Sequence, residues 1–187
     1  MNQFTKTFKG LDSAIQQGTA RALNRALSSA QTQLAKDLKD DLGVASKVIK
    51  DRMLSVKATS KKLNVVLAIA TKVGILLSEF APTVRKVKVV HSGNKNPTTH
   101  YGVSVKILGN RVLVPGAWLA QASNGKKLVL ARKGDARYPT VALRTDVFRD
   151  AVTTRAPDST KAMEAKFDSI VNAEIEQAIQ FKFNSDR

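Results

Sequence analysis

The apolar residues between positions 12 and 42 fall on one helical stripe, and this constrains the fold more than any other feature of the chain. Leu23, Leu27, Ala30, Leu34 and Leu38 follow at intervals of four, three, four and four, a spacing that returns each side chain to the same face of an α-helix. Asp12 or Ser13 supplies an N-terminal cap, and Gly43 a stop after Leu42. Such a helix is about 45 Å long. It exceeds what a small compact domain needs and is expected to lie along a sheet or to bridge subunits. Ala22, Ala26, Ser29 and Ala30 make a small-residue face that permits close approach of a second element, with Asn24 and Arg25 beside the stripe.

After this helix the pattern changes. Ser46 can cap a short basic helix running to about Leu54, with Lys47, Lys50 and Arg52 on its exposed face. A short basic helix after a helix is also the order of a helix-turn-helix DNA reader, but the signal is weak, because the first helix is too long for that motif and the second runs into strand-like sequence. From Leu63 the period becomes two. "KLNVVLAIATK", "VRKVKVV" and "GVSVKIL" (102–108) read as strands, and Gly109-Asn110 turns the last of these back into "RVLV". Pro115-Gly116 ends that strand, and "AWLAQA" is expected to turn away from it as one helical turn carrying Trp118, the single tryptophan. Asn124-Gly125 then leads into the strand "KKLVLARK", and "YPTVALR" leaves the sheet. A short helix over 145–152, a break at "APDST", and a long helix over 159–181 complete the reading. Met163, Phe167, Ile170, Val171, Ile175 and Ala178 form the buried side of that last helix. The expected class is α+β: a long N-terminal helix, a central antiparallel β-sheet, a short helix and a long C-terminal helix. It is taken as a single domain over 1–187, with a helical part at 1–62, a sheet at 63–144 and a helical part at 145–187.

Charge is the strongest compositional signal. The 187 residues carry a net charge of +16, and residues 80–134 hold ten Lys and Arg with no Asp or Glu. An acid-free zone of that length favours a polyanion or an acidic partner surface. Arg111 in the Gly-Asn-Arg hairpin, with Lys126, Lys127, Arg132 and Lys133 around the following strand, is the first choice for that surface. Arg21, Arg25, Lys36 and Lys39 of the first helix are the alternative.

The sequence supplies little for catalysis. It has no Cys, and its two histidines, His91 and His100, lie nine residues apart in a polar loop with no acid beside them. That does not make a metal site. Walker A, dinucleotide-loop and nucleophile-elbow motifs are absent, so no enzyme activity, cofactor or metal is expected. No signal peptide or membrane span is read from the sequence, so the chain is expected to be soluble at least until it assembles. Trp118 either anchors the core or serves as an interface residue. Arg137-Tyr138-Pro139 marks either a corner at the sheet exit or a contact between subunits. Trp118, Arg137, Tyr138, Asn24 and Arg25 are the candidate subunit-interface residues.

Taken in order, "KGLDSA" (9–14), "ALNRALSSA" (22–30), "KVIKDR" and "KAT" (47–59), "SVKILGNRVLVPGAW" (104–118) and "NGKKLVLARKGDARYP" (124–139) resemble the minor tail protein Z family of lambda-like phages and prophages, among the tail completion proteins of long-tailed phages. The loop "HSGNKNPTTH" is less basic than the corresponding family stretch, which weakens any role for it at DNA. The resemblance implies a structural virion protein at the head-proximal end of the tail, made in the host cytoplasm. It further implies a homo-hexameric ring that meets the tail terminator or tail tube and the head connector, with genomic DNA passing through without sequence readout. The competing expectation is a free, sequence-nonspecific DNA-binding protein.

Overall fold

The computed structural model describes residues 3–89, 98–134 and 138–185, with side chains over 11–86, 101–134 and 138–184. Its elements in order are α1 (Gln3–Leu42), α2 (Ser46–Lys50), β1 (Met53–Val56), β2 (Val66–Ile69), β3 (Ile75–Leu76), a 3-10 turn (Leu77–Glu79), β4 (Thr83–Val89), β5 (Thr98–Ile107), β6 (Asn110–Pro115), β7 (Trp118–Gln121), β8 (Lys127–Arg132), β9 (Thr140–Ala142), β10 (Arg144–Thr145) and α3 (Val147–Ser185). Among the described residues helix makes up 50% and strand 28%, so the chain is α+β as its periodicities imply. All paired strands are antiparallel, and they are divided among four small sheets: β1-β2, β10-β3, β4-β5-β6 and β7-β8-β9.

The chain groups into two compact units. The first combines Met1–Lys36, Asp51–Ala70 and Thr154–Arg187. Here the small-residue face of α1 is buried at Ala14, Ala22, Ala26 and Ala30. The tightest approach falls at Gly18, where an added Cβ would lie 2.6 Å from Ile175 Cα and 2.8 Å from the Glu174 carbonyl oxygen. No side chain fits there, so glycine sets how close α3 comes to α1. The β1-β2 ribbon belongs to the same unit, registered Met53↔Ile69 through Val56↔Val66. Met53 is buried on its inward face, and Leu67 and Ile69 line a cleft with Ala30 and Leu34.

The second unit combines Asp37–Lys50 and Thr71–Thr153. Its core holds Leu38, Leu42, Ile49, Ile75, Phe80, Val103, Val105, Val129 and Phe148. The central strand β5 is buried from Val103 to Val105, between β4 and β6. Gly74 is held against β10, since a Cβ there would meet the Thr145 carbonyl oxygen at 2.4 Å.

Several sequence expectations change. The helix α1 starts at Gln3, upstream of Asp12 and Ser13, so neither of these caps it; the Gly43 stop is present, with φ +70 and its N–H donating to the Lys39 carbonyl at 2.8 Å. The short helix ends at Lys50, because Met53 to Val56 are drawn into strand pairing with β2. Of "KLNVVLAIATK" only Val66–Ile69 is strand. The segment "AWLAQA" is not a helical turn. It forms β7, because Trp118 to Gln121 pair with Leu130 to Lys127 across the Asn124-Gly125 turn, and ladder hydrogen bonds outweigh the local preference of an Ala-containing stretch. Nor is there a break at "APDST": α3 runs continuously through Pro157. A proline removes one donor and crowds the carbonyl four residues back, and packing along the remaining turns outweighs that cost.

Gly18→Ala tests the close approach. It is expected to lower stability by about 1–3 kcal/mol, since the backbone of α3 must move to admit one methyl group. Urea unfolding measures this, and an unchanged midpoint would contradict the packing.

Candidate basic and aromatic surfaces

The register of β4-β5-β6 decides which cations share a surface. Thr83 pairs with Ser104 and Ser104 with Leu113; Arg85 pairs with Gly102, and Lys106 pairs with Arg111. Directly opposed residues share a face, so Arg85, Lys106 and Arg111 project from one side of the sheet. Arg111 reaches across β5, and its Nη1 donates to Thr83 Oγ1 at 2.9 Å. Lys106 and Arg111 are like charges in direct register, an arrangement that costs stability unless an anion answers it. No Asp or Glu occurs between residues 80 and 134 to do so. The opposite face carries Val84, Lys86 and Tyr101, with the Lys86 ammonium 6.0 Å from the Tyr101 ring centroid. Arg85 and Lys106 were not singled out from sequence; the signal was their strand parity, which becomes readable only once the pairing partner is known.

The structure separates the remaining predicted cations. Lys126 and Lys127 lie at the Asn124-Gly125 turn, where Asn124 Oδ1 accepts from the Lys126 backbone N–H at 3.1 Å. Arg132 and Lys133 lie at the far end of β8, about 17 Å away at strand rise. Arg111 belongs to a different sheet. These five residues therefore do not form one patch.

Two interface candidates do come together. Trp118 faces the same side of the sheet as Leu130, Arg132 and Thr140. Trp118, Arg132, Tyr138 and Thr140 line one shallow surface depression. Trp118 is half-buried and Tyr138 is 69% exposed, and the Tyr138–Pro139 peptide is cis. Trp, Tyr and Arg are the side chains most enriched at binding hot spots. Arg137 lies outside the described residues, as does His91; the side chain of His100 is likewise undescribed.

Asn24 and Arg25 have work within the first unit. The Asn24 carboxamide bonds Ala58 twice: Nδ2 donates to the Ala58 carbonyl at 3.0 Å, and the Ala58 N–H donates to Oδ1 at 2.8 Å. One side chain thus fastens the loop leaving β1 to α1. Arg25 Nη1 pairs with Glu174 Oε1, and Arg21 Nε lies 3.8 Å from Oε2. The Glu174 side chain is 3% exposed and Oε2 has no hydrogen-bond partner. Two cations four residues apart on α1 therefore hold one carboxylate buried within the half-buried apolar stripe of α3. Beside them, Arg21, Asn24, Arg25, Ser28, Ser55 and Lys57 line an open groove that is cationic on balance. Glu174 was not singled out from sequence, although it is an acid at helical spacing between Ile170 and Ala178; its arginine partners carry no local signal, because they lie some 150 residues away.

These surfaces can bind anions and flat polar partners. Among the described residues no group of three or more His, Cys, Asp or Glu is placed to hold a metal, and no helix is long and apolar enough to cross a membrane.

The Asn24 clamp predicts that Asn24→Ala costs about 1–3 kcal/mol, since it strands a part-buried N–H and C=O together. Glu174→Gln is expected to cost less than the double change Arg21→Ala, Arg25→Ala, which leaves a buried carboxylate unpaired. Thermal and urea unfolding of these variants checks both, and the reverse ranking for Glu174 would contradict the pairing.

No curated protein and no solved structure gives a match. The model of one family, described as prophage minor tail protein Z, matches residues 2–185. That match takes in both compact units, the Asn24 clamp and the basic hairpins, and the chain belongs to the prophage minor tail protein Z family.

Proposed function

We propose that this phage tail structural protein completes the head-proximal end of the tail. It does so as a homo-hexameric ring between the tail terminator or tail tube and the head connector, with genomic DNA passing through without sequence readout. The observation that carries this reading is the family match over nearly the whole chain, combined with an acid-free stretch at 80–134 in which Arg85, Lys86, Lys106, Arg111, Lys126, Lys127, Arg132 and Lys133 are all exposed. A DNA channel needs a wall that tolerates phosphate, and phosphate contacts position DNA without reading it. A ring also needs lateral contacts. The half-buried Trp118 beside Tyr138 and Arg132 suits one of these. Arg25 and Asn24 serve it indirectly, by holding the first unit together.

Quantitative mass spectrometry of purified particles tests this, with the tail tube protein as the internal standard. A low, fixed copy number equal to one ring is the expected result. Its absence from particles, with the chain left in the lysate, would remove the assignment.

The opposed Lys106 and Arg111 favour a second reading, that the free chain binds DNA through this sheet face. On that reading Arg85→Gln, Lys106→Gln and Arg111→Gln together reduce the salt slope of DNA binding by about 2–3, at roughly 0.9 per phosphate contact. An unchanged slope excludes this face, and the same test on Lys126, Lys127, Arg132 and Lys133 judges the β8 cations.

A further inference from the structure

The first unit leaves a second kind of surface uncovered. In the β1-β2 ribbon, Leu54 pairs with Ala68 and Val56 with Val66, so these four side chains share one face. Leu54 is 68%, Val56 54% and Val66 47% exposed. The ribbon is a two-stranded sheet, so each strand also keeps an unpaired edge. A contiguous apolar face with open edges is costly to leave in water and marks a contact surface. Its rim is basic: Lys61 and Lys62 are exposed along the connection between the two strands, whereas Lys57 lines the groove against α1 on the other side.

The same unit carries the complement. On α3, Glu164, Asp168, Asn172 and Glu176 follow at intervals of four, and all are exposed. Residues at that spacing form a row that winds slowly round a helix: Glu176 stands nearly opposite the buried Glu174, and Glu164 lies toward the flank of the buried side. The row is an acidic stripe about 18 Å long. About two turns beyond Glu176 it ends in Phe183, 53% exposed. No ion pair ties Glu164, Asp168 or Glu176 to a partner among the described residues.

We propose that the outward face of the β1-β2 ribbon docks on the acidic stripe of α3 in a second copy of this chain. The lysine rim meets Glu164, Asp168 and Glu176, and Leu54, Val56 and Val66 are covered by the helix. The two surfaces differ, so the contact is head-to-tail, and repetition of such a contact closes a ring when the rotation allows it. The proposal rests on the ring reading above and names the surfaces that build it.

The chain has no cysteine, which makes engineered cross-linking unambiguous. Two differently tagged copies, one carrying Val66→Cys and the other Asp168→Cys, are co-expressed during particle assembly and oxidised. A covalent dimer bearing both tags is the expected result. In parallel, Lys61→Glu and Lys62→Glu together, or Glu164→Lys and Asp168→Lys together, should cut incorporation into particles roughly tenfold, and the two sets combined should restore it. All these positions are exposed, and unchanged thermal melts of the variants separate lost docking from lost folding. Wild-type incorporation of the cysteine pair without a two-tag dimer overturns the contact while leaving the ring reading in place. Absence of the wild-type chain from particles overturns the tail-end reading instead. The contact is then decided on concentrated purified chain by the same cross-link, whose absence there overturns it as well.

Discussion

The first unit depends on the closeness of α1 to α3 at Gly18. With the Ile175 Cα within 2.6 Å of where a Cβ would stand, the two helices meet backbone to backbone. This proximity brings Arg21 and Arg25 within reach of Glu174 and lets a carboxylate be buried without isolation. The three features follow from one another: the missing side chain permits the approach, the approach buries the acid, and the paired arginines compensate the burial. Asn24, on the same helix, then ties the ribbon through Ala58. A single stretch of α1, from Gly18 to Arg25, therefore positions both other parts of its unit.

Residues 80–134 of the second unit solve a different problem, which is how to present many cations in a stretch that has no Asp or Glu of its own. Their strands are short and split among separate sheets, so like charges are spread along edges and turns instead of being stacked on one plane. The Lys106–Arg111 pair is the exception, and it is relieved only partly by the Arg111 bond to Thr83. Such a surface is consistent with a protein whose partners are anionic and whose recognition does not depend on sequence. That is what the proposed place at the end of a DNA-filled tube asks of it.

Much of the fold was legible because it rests on local periodicity. The stripe Leu27, Ala30, Leu34 and Leu38 is buried as its spacing requires, and the Gly43 stop, the Gly109 turn and the Asn124-Gly125 turn all stand where glycine chemistry places them. Where local signals competed with pairing or packing, they lost. Trp118 to Gln121 reads as a turn of helix until β8 is present to pair with it, and Pro157 reads as a break until the rest of α3 is packed. The candidate surfaces were less legible. Arg132, Trp118 and Tyr138 meet only through strand register, while Lys126 and Arg132, close in sequence, are set apart by the extended rise between them.

By itself, the sequence determined the α+β class, the long helices, the hairpin turns and the concentration of positive charge, because each is written in the spacing or composition of neighbouring residues. The tertiary structure decided which charges are neutralised and which are displayed. Glu174 and Arg25 are about 150 residues apart in the chain, and Lys106 faces Arg111 across a single turn. Both relations depend on which backbone segments lie side by side, and that is set by a missing Cβ at Gly18 in one unit and by strand register in the other, neither of which periodicity encodes.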